Sequence, residues 1–365
     1  MESLRKIVQR PGGDKFFLFL PLALSILGLF LILDASSVFA LKYFNDKFYF
    51  FKRQFFWFIG GICGFYLFSL LDYKILKKWS LPLFLVSLFL LVLVLFPGIG
   101  KEVYGGRRWL SLGIGNFGFQ PSELLKISLI IYLSALLEKK RNFFSLLFTL
   151  GIILVLLLLE PDLGTAIIVL AIGFVLYFVS GAPVKEILLS GLILPVTILP
   201  LVLFSSYRRT RLISFLRSSF DASQASYHVK QVLIGLGSGG IFGKGIGQSR
   251  QKFLFLPEIT TDSIFAVIGE EFGFLGSSLL LIVLFFLVYR LLNLAIANKD
   301  PFAKSILSGF AFLIGFQTIV NLGAMVVLIP MTGVPLPFIS YGGSSLLICL
   351  SIMGIVYNIS KQNKR

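Results

Sequence analysis

Residues 16–41 read FFLFLPLALSILGLFLILDASSVFAL, a run of 26 residues whose one ionisable side chain is Asp34. A helix crosses the roughly 30 Å hydrocarbon core of a bilayer in about 20 apolar residues, whereas a spanning β-strand needs about ten. The run therefore reads as a membrane-spanning α-helix. Arg5, Lys6, Arg10 and Lys15 precede it, as in a signal peptide. It is longer than a signal h-region and lacks a convincing small-residue cleavage site, so the expectation is an uncleaved first helix with its N-terminus in the cytoplasm.

Working outward, further apolar runs cover 55–71, 81–97, 124–137, 144–159, 163–181, 187–206, 264–295 (its start bent or interfacial), 303–329 and 338–359. The expectation is an all-α integral membrane protein of ten helices with both termini cytoplasmic. It is one polytopic domain over 1–365, with tails at 1–15 and 360–365 and a large extracellular loop, 207–262, between helices 7 and 8. Of 365 residues, 57% are hydrophobic and 14% charged, and the mean hydropathy is +0.93. That excludes a soluble enzyme, a fibre and a disordered chain.

The net charge of +16 would suggest nucleic acid in a soluble protein; in a membrane protein the placement of the charges decides. On this topology 17 basic residues lie inside and 16 outside, so a raw count is indecisive. Every short inner loop is basic, whereas the outer charges concentrate in two segments, 101–126 and 208–252. Basic residues kept outside against the usual bias point to an anionic ligand there.

The long loop keeps Val232, Leu233, Ile234 and Leu236, which predicts an ordered, partly helical segment on the membrane face. Gly235, Gly237 and Gly240 satisfy GxGxxG, but no strand precedes them and no βαβ unit surrounds them. Gly243-Lys244 is followed by Gly245 and not by Ser or Thr, so a Walker A loop fails as well. These glycines read as a flexible or tightly turning loop. Gly60 and Gly64 form GxxxG in an apolar helix, a close-packing signal. Cys63 and Cys349 read as small buried hydrophobes, and His228, the one histidine, as an ordinary solvated residue. Zinc and His-based triad chemistry is unavailable.

Asp34, Glu123, Lys126, Glu160, Asp162, Asp262, Glu270 and Glu271 stand at membrane depth or its edge. Each costs a few kcal/mol if lipid-exposed and unpaired. Acids and bases around an outward-opening polar cavity avoid that cost; helix capping is the simpler alternative, above all for Asp162 beside Pro161.

Six ordered blocks carry a resemblance: Gly105-Gly106-Arg107-Arg108-Trp109-Leu110, Gln120-Pro121-Ser122-Glu123-Leu124-Leu125-Lys126, Pro161-Asp162-Leu163-Gly164-Thr165, Leu256-Pro257-Glu258 with Thr261-Asp262, Gly269-Glu270-Glu271-Phe272-Gly273, and residues 335–345, PLPFISYGGSS. Together they resemble the SEDS family of shape, elongation, division and sporulation proteins (FtsW, RodA, SpoVE). The 245–258 stretch is closer to the FtsW and SpoVE branch. The chain departs from the family pattern at Thr260, where a His is frequent, and at Ser263, where an aromatic residue is usual.

The resemblance implies a peptidoglycan glycosyltransferase in the bacterial cytoplasmic membrane, polymerising lipid II on the outer face. Asp262 is the expected catalytic base, taking the proton of the acceptor 4-hydroxyl. Arg107, Arg108, Lys126 and Lys252 are expected to bind the pyrophosphate leaving group. Glu123, Asp162 and Glu258 are expected to orient cations or sugars in the substrate site. The resemblance fixes no cofactor, and leaves open a divalent cation, Mg or Mn, with the pyrophosphate. The implied partners are a class B penicillin-binding protein transpeptidase and other divisome or elongasome membrane proteins, with no nucleic acid. Two other classes fit a ten-helix protein with buried charges: a lipid II flippase or other transporter, which predicts inner-facing cavity charges and an internal repeat, and a non-catalytic scaffold for a transpeptidase. No convincing repeat is present, and a scaffold has no evident use for an external carboxylate beside phosphate-binding cations.

Overall fold

A computed structural model describes residues 12–103, 106–111, 113, 118–139, 141–186, 189, 209, 215, 227–253, 260–330 and 332–363. The opening apolar run forms α1 (Phe16–Phe44), which stops at Asn45, a left-handed residue whose N–H returns to the Leu41 carbonyl. There follow α2 (Tyr49–Leu70), the short α3 (Tyr73–Lys78), capped by the Asp72 side chain, and α4 (Ser80–Val94). Beyond the sheet described below come α5 (Pro121–Lys139), α6 (Phe143–Leu159) and α7 (Leu163–Val179). The remaining helices are α8 (Tyr227–Ser238), α9 (Ile264–Ala297), α10 (Pro301–Met325) and α11 (Gly343–Asn363).

Each predicted span coincides with one of these helices, except 187–206, which lies outside the described residues apart from position 189. Among the described residues α1, α9, α10 and α11 are long and apolar enough to cross a membrane, and α4, α6 and α7 are shorter apolar helices. The bend expected at the start of 264–295 is present: Gly273 (φ 67, ψ −166) breaks the helical path of α9. Phe19, Phe30, Phe56, Phe89, Phe148 and Ile282 are exposed, a surface suited to lipid and not to water.

An all-α description fails between α4 and α5. Gly100–Val103 (β1), Gly106–Ser111 (β2) and Gly118–Phe119 (β3) form an antiparallel sheet in that order, with a bulge between Lys101 and Glu102. The chain between α4 and α5 is too rich in glycine and charge (Lys101, Glu102, Arg107, Arg108) for another spanning helix, and at the membrane edge its backbone groups must be paired; a small sheet pairs them locally. The pairing sets Arg107 opposite Glu102 and sends Arg108 to the other face of β2.

Helix α11 is the centre: 89% of its most apolar stretch is buried, against 28% for α9. It lies against α2 through small residues. A Cβ on Gly64 would come within 2.4 Å of Ser351 Oγ, and one on Gly354 within 2.4 Å of the Phe65 carbonyl. Gly60, the other half of GxxxG, meets only Leu347 at 3.5 Å, so the close face runs through Gly61 and Gly64. Cys349 is buried as expected, whereas Cys63 on α2 points outward and is exposed. At the far end of α11, Ser360 Oγ accepts a bond from the Asp14 N–H (3.0 Å), and the Asp14 carboxylate pairs with Arg290. The start of α1 and the ends of α9 and α11 therefore share one end of the bundle.

The glycine-rich loop turns tightly, with left-handed glycines at 240, 243, 245 and 247, and fastens to α9. Gly235, Gly239 and Gly243, spaced four apart, pack against Ala266, Gly269 and Glu271. A Cβ on Gly239 would lie 2.0 Å from the Gly269 carbonyl oxygen, whereas one on Gly237 would meet nothing within 4 Å among the described residues. Overpacking of such a contact costs about 1–3 kcal/mol, and a helical Gly→Ala change in open space gains about 0.5–1 kcal/mol. Gly239→Ala is expected to lower the thermal midpoint of the purified protein, and Gly237→Ala to leave it unchanged or raise it.

Candidate active site

The segment between α10 and α11 carries Pro330, Pro335 and Pro337, which donate no backbone hydrogen bond and cannot continue a helix. Irregular backbone at this depth has to find partners in the protein. Asn321 Nδ2, on α10, donates to the Val334 carbonyl and also to the Asp262 carbonyl, both at 2.9 Å. The Tyr341 N–H donates to the Thr260 carbonyl at 2.7 Å. Gln54, fully buried on α2, donates to the Ser340 carbonyl (3.4 Å) and accepts from the Gly342 N–H (3.2 Å). Ser344 Oγ accepts from the Gln120 N–H at 3.0 Å, three residues before Glu123. The Thr332 carbonyl presses on Gly164, two residues after Asp162, where a Cβ would come within 2.9 Å. One segment thus fixes Asp262, Asp162 and Glu123 relative to one another.

Asp262 is 4% exposed and its Oδ1 accepts from the Thr261 hydroxyl at 3.0 Å. His228 is not an ordinary solvated residue: it is half-buried, with Nε2 2.6 Å from Ser263 Oγ. Glu258 lies outside the described residues. Glu123 and Lys126 form an ion pair of 2.8 Å one turn apart on α5, both buried. Asp162 caps α7, accepting from the Thr165 N–H (3.1 Å) and the Thr165 hydroxyl (2.8 Å).

Arg108 Nε and Nη2 donate to the carbonyls of Glu160 (3.1 Å) and Pro161 (2.6 Å), tying β2 to the start of α7. Arg107 is half-exposed and only loosely paired, 3.7 Å from Glu102. Lys252 binds Asp34 of α1 (2.9 Å) and Glu271 of α9 (3.1 Å), away from β2 along the chain. Beside it Glu270 accepts from Lys244 (2.6 Å), Ser249 Oγ (2.6 Å) and the Gln251 N–H (3.2 Å). The structure therefore groups Arg108 with Asp162, Glu123 with Lys126, and Lys252 with Asp34 and Glu271. Among the described residues no three His, Cys, Asp or Glu side chains come together as a metal-binding group.

Sequence reading missed Gln54, Asn321 and His228. For the two amides the signal was available, since an isolated Gln or Asn in an apolar helix must find a buried partner.

Glu160 is fully buried at the turn between α6 and α7, and neither carboxylate oxygen has a hydrogen-bond partner among the described residues. Burial pushes its carboxyl up to about 9; the Asp162 charge adds to this and Arg108 offsets part. A carboxyl raised in the folded state is compatible with the fold when neutral, so its ionisation costs stability as pH rises from the ordinary carboxylate range toward that value. Glu160→Gln is expected to raise the thermal midpoint at about pH 8, where the unfolded chain's carboxyl is ionised and the folded one is held neutral, and to have little effect near pH 4, where both are largely neutral.

The model of the family described as "Cell cycle protein" (FtsW, RodA, SpoVE) matches residues 14–365. The chain is 40% identical over 357 residues to the probable peptidoglycan glycosyltransferase FtsW of Geobacter sp. (strain M18), covering 96% of this chain and 97% of that protein. It is 37% identical to stage V sporulation protein E of Bacillus subtilis (strain 168), covering 98% and 99%. Among solved structures, one described as "Structural coordination of polymerization and crosslinking by a peptidoglycan synthase complex" superposes with a TM-score of 0.77 at 31% identity, covering 97% of this chain and 99% of that one. The crystal structure of Thermus thermophilus rod shape determining protein RodA gives 0.71 at 31% identity, covering 97% and 98%. The family-model match over residues 14–365, with relatives 37–40% identical across nearly the whole chain, makes this chain a member of the FtsW/RodA/SpoVE family.

Proposed function

We propose that this chain is a peptidoglycan glycosyltransferase of the bacterial cytoplasmic membrane, polymerising lipid II into β-1,4 glycan strands on the outer face. The observation that carries this reading is the buried Asp262 carboxylate, in a turn held at Thr260 and at its own carbonyl by the 334–341 segment and Asn321. The names of the relatives support the same activity. The topology is ten crossings, with both termini cytoplasmic and 207–262 outside; the joined ends of α1, α9 and α11 support the even number.

In this reading the acceptor GlcNAc 4-hydroxyl attacks C1 of the donor MurNAc. Its proton passes to the Asp262 carboxylate, the C1–O bond breaks, and undecaprenyl pyrophosphate leaves with inversion from α to β. One displacement needs a base and a stabilised leaving group, and no covalent enzyme nucleophile. Arg107, half-exposed and loosely paired, is the cation that can meet pyrophosphate at least cost. Arg108 acts by holding the 160–162 turn, while Lys126 and Lys252 act with the carboxylates they already bind. Glu123, Asp162 and Glu258 complete the polar lining. Lipid II is the substrate, and a class B penicillin-binding protein is the partner, a pairing supported by the similar structure described as a peptidoglycan synthase complex.

Polymerisation of lipid II by the purified protein with its transpeptidase, whose crosslinking site is blocked, tests the base. Asp262→Ala and Asp262→Asn are expected to lose about 100-fold or more in rate while remaining folded and partner-bound, and equal polymer from all forms would remove the role. For the Glu123–Lys126 pair, Lys126→Met alone leaves a buried unpaired carboxylate and is expected to destabilise by about 3–5 kcal/mol. The double change Glu123→Gln/Lys126→Met should recover most of the thermal midpoint without recovering activity.

A further inference from the structure

Ser263 is the N-cap residue of α9, and its side chain makes no capping hydrogen bond. A serine here ordinarily turns its hydroxyl onto the N–H groups of the first helical turn, worth about 1 kcal/mol. This hydroxyl instead lies 2.6 Å from His228 Nε2, on the first turn of α8, and Ser263 is fully buried. The diversion of a cap toward a partner 35 residues earlier needs a reason other than helix stability.

We infer that His228 is a positioning residue for Asp262, acting through Ser263. The inference rests on the reading of Asp262 as the base. The turn 260–263 is fastened at three points from three directions: Tyr341 N–H on the Thr260 carbonyl, Asn321 on the Asp262 carbonyl, and His228 on the Ser263 side chain. Without the third, nothing among the described residues fixes the Ser263 side chain, so the 262–263 peptide loses a restraint and the carboxylate next to it loses its aim. The imidazole is itself held in place, because α8 is seated on α9 by buried Val232 and by Gly235, whose added Cβ would lie 3.4 Å from the Ala266 carbonyl. Whether Nε2 donates or accepts, the bond needs a polar atom at that position, and the Gln amide reaches about as far from the backbone as imidazole Nε2.

The experiment is lipid II polymerisation by the full chain with its partner, comparing His228→Leu, His228→Gln, Ser263→Ala and the double change His228→Leu/Ser263→Ala. Turnover at saturating lipid II, KM and the detergent thermal midpoint are measured for each. His228→Leu and Ser263→Ala are each expected to lower turnover about tenfold, with KM within about twofold, since a misaimed base costs the chemical step and not binding. The double variant should fall no further than either single one, and His228→Gln should stay within about threefold of wild type. Wild-type turnover in His228→Leu, a double variant that multiplies the two losses, or a shift in thermal midpoint alone would overturn the inference. Asp262→Asn separates the two readings. If it is inactive while His228→Leu is fully active, only the positioning role falls; if it polymerises normally, the base falls and takes His228 with it.

Discussion

The backbone of residues 332–345 has to satisfy its hydrogen bonds inside the protein, and the site depends on how it does so. Prolines remove donors from the segment and prevent it from folding into helix, so side chains of other helices must take up the remaining groups. Gln54 and Asn321 do this, each with one amide reaching two backbone groups. Because Asn321 also holds the Asp262 carbonyl, and Ser344 holds the start of α5, a local need for satisfied backbone becomes the spacing between an acid in the turn before α9 and an ion pair on α5.

A second clamp works further along α9. Glu270 and Glu271 are buried above the Gly273 break and gather Lys244, Ser249, Gln251 and Lys252 around themselves. Lys252 extends that cluster to Asp34, so the first helix of the chain is tied to its long loop. Buried charges of this sort add little net stability but enforce one arrangement over others, because any rearrangement strands a charge. The small sheet gives similar leverage to Arg108, whose rigid fork spans two adjacent carbonyls at the entry to α7.

The helical frame was legible because a bilayer demands long apolar runs, and α1, α6, α7, α9 and α10 start within three residues of where their runs begin. The sheet was not, since β1 and β3 are too short for an alternating pattern and glycines interrupt them. In the glycine-rich loop GxGxxG and the Walker A pattern draw attention to Gly235 and Gly243 for the wrong reason; their four-residue spacing with Gly239 is what seats the loop on α9. Asp162 shows the limit of single-residue reasoning: its carboxylate caps α7, as the simpler reading allowed, and it also stands beside Glu160 and Arg108. His228 was misread because its partner, Ser263, is distant in sequence and gives no pattern.

Among the four long apolar helices described, α11 is the most enclosed, and it follows the other three in the chain. Helices made earlier enter the bilayer with Gln54, Ser69 and the close-packing glycines of α2 facing an empty slot, and only the arrival of 343–363 fills it. The irregular segment just before α11 is drawn into register in the same step. The acid, its supports and the ion pair therefore come together only after residues 332–363 have been made, and a chain stalled before them carries parts of the site without its geometry.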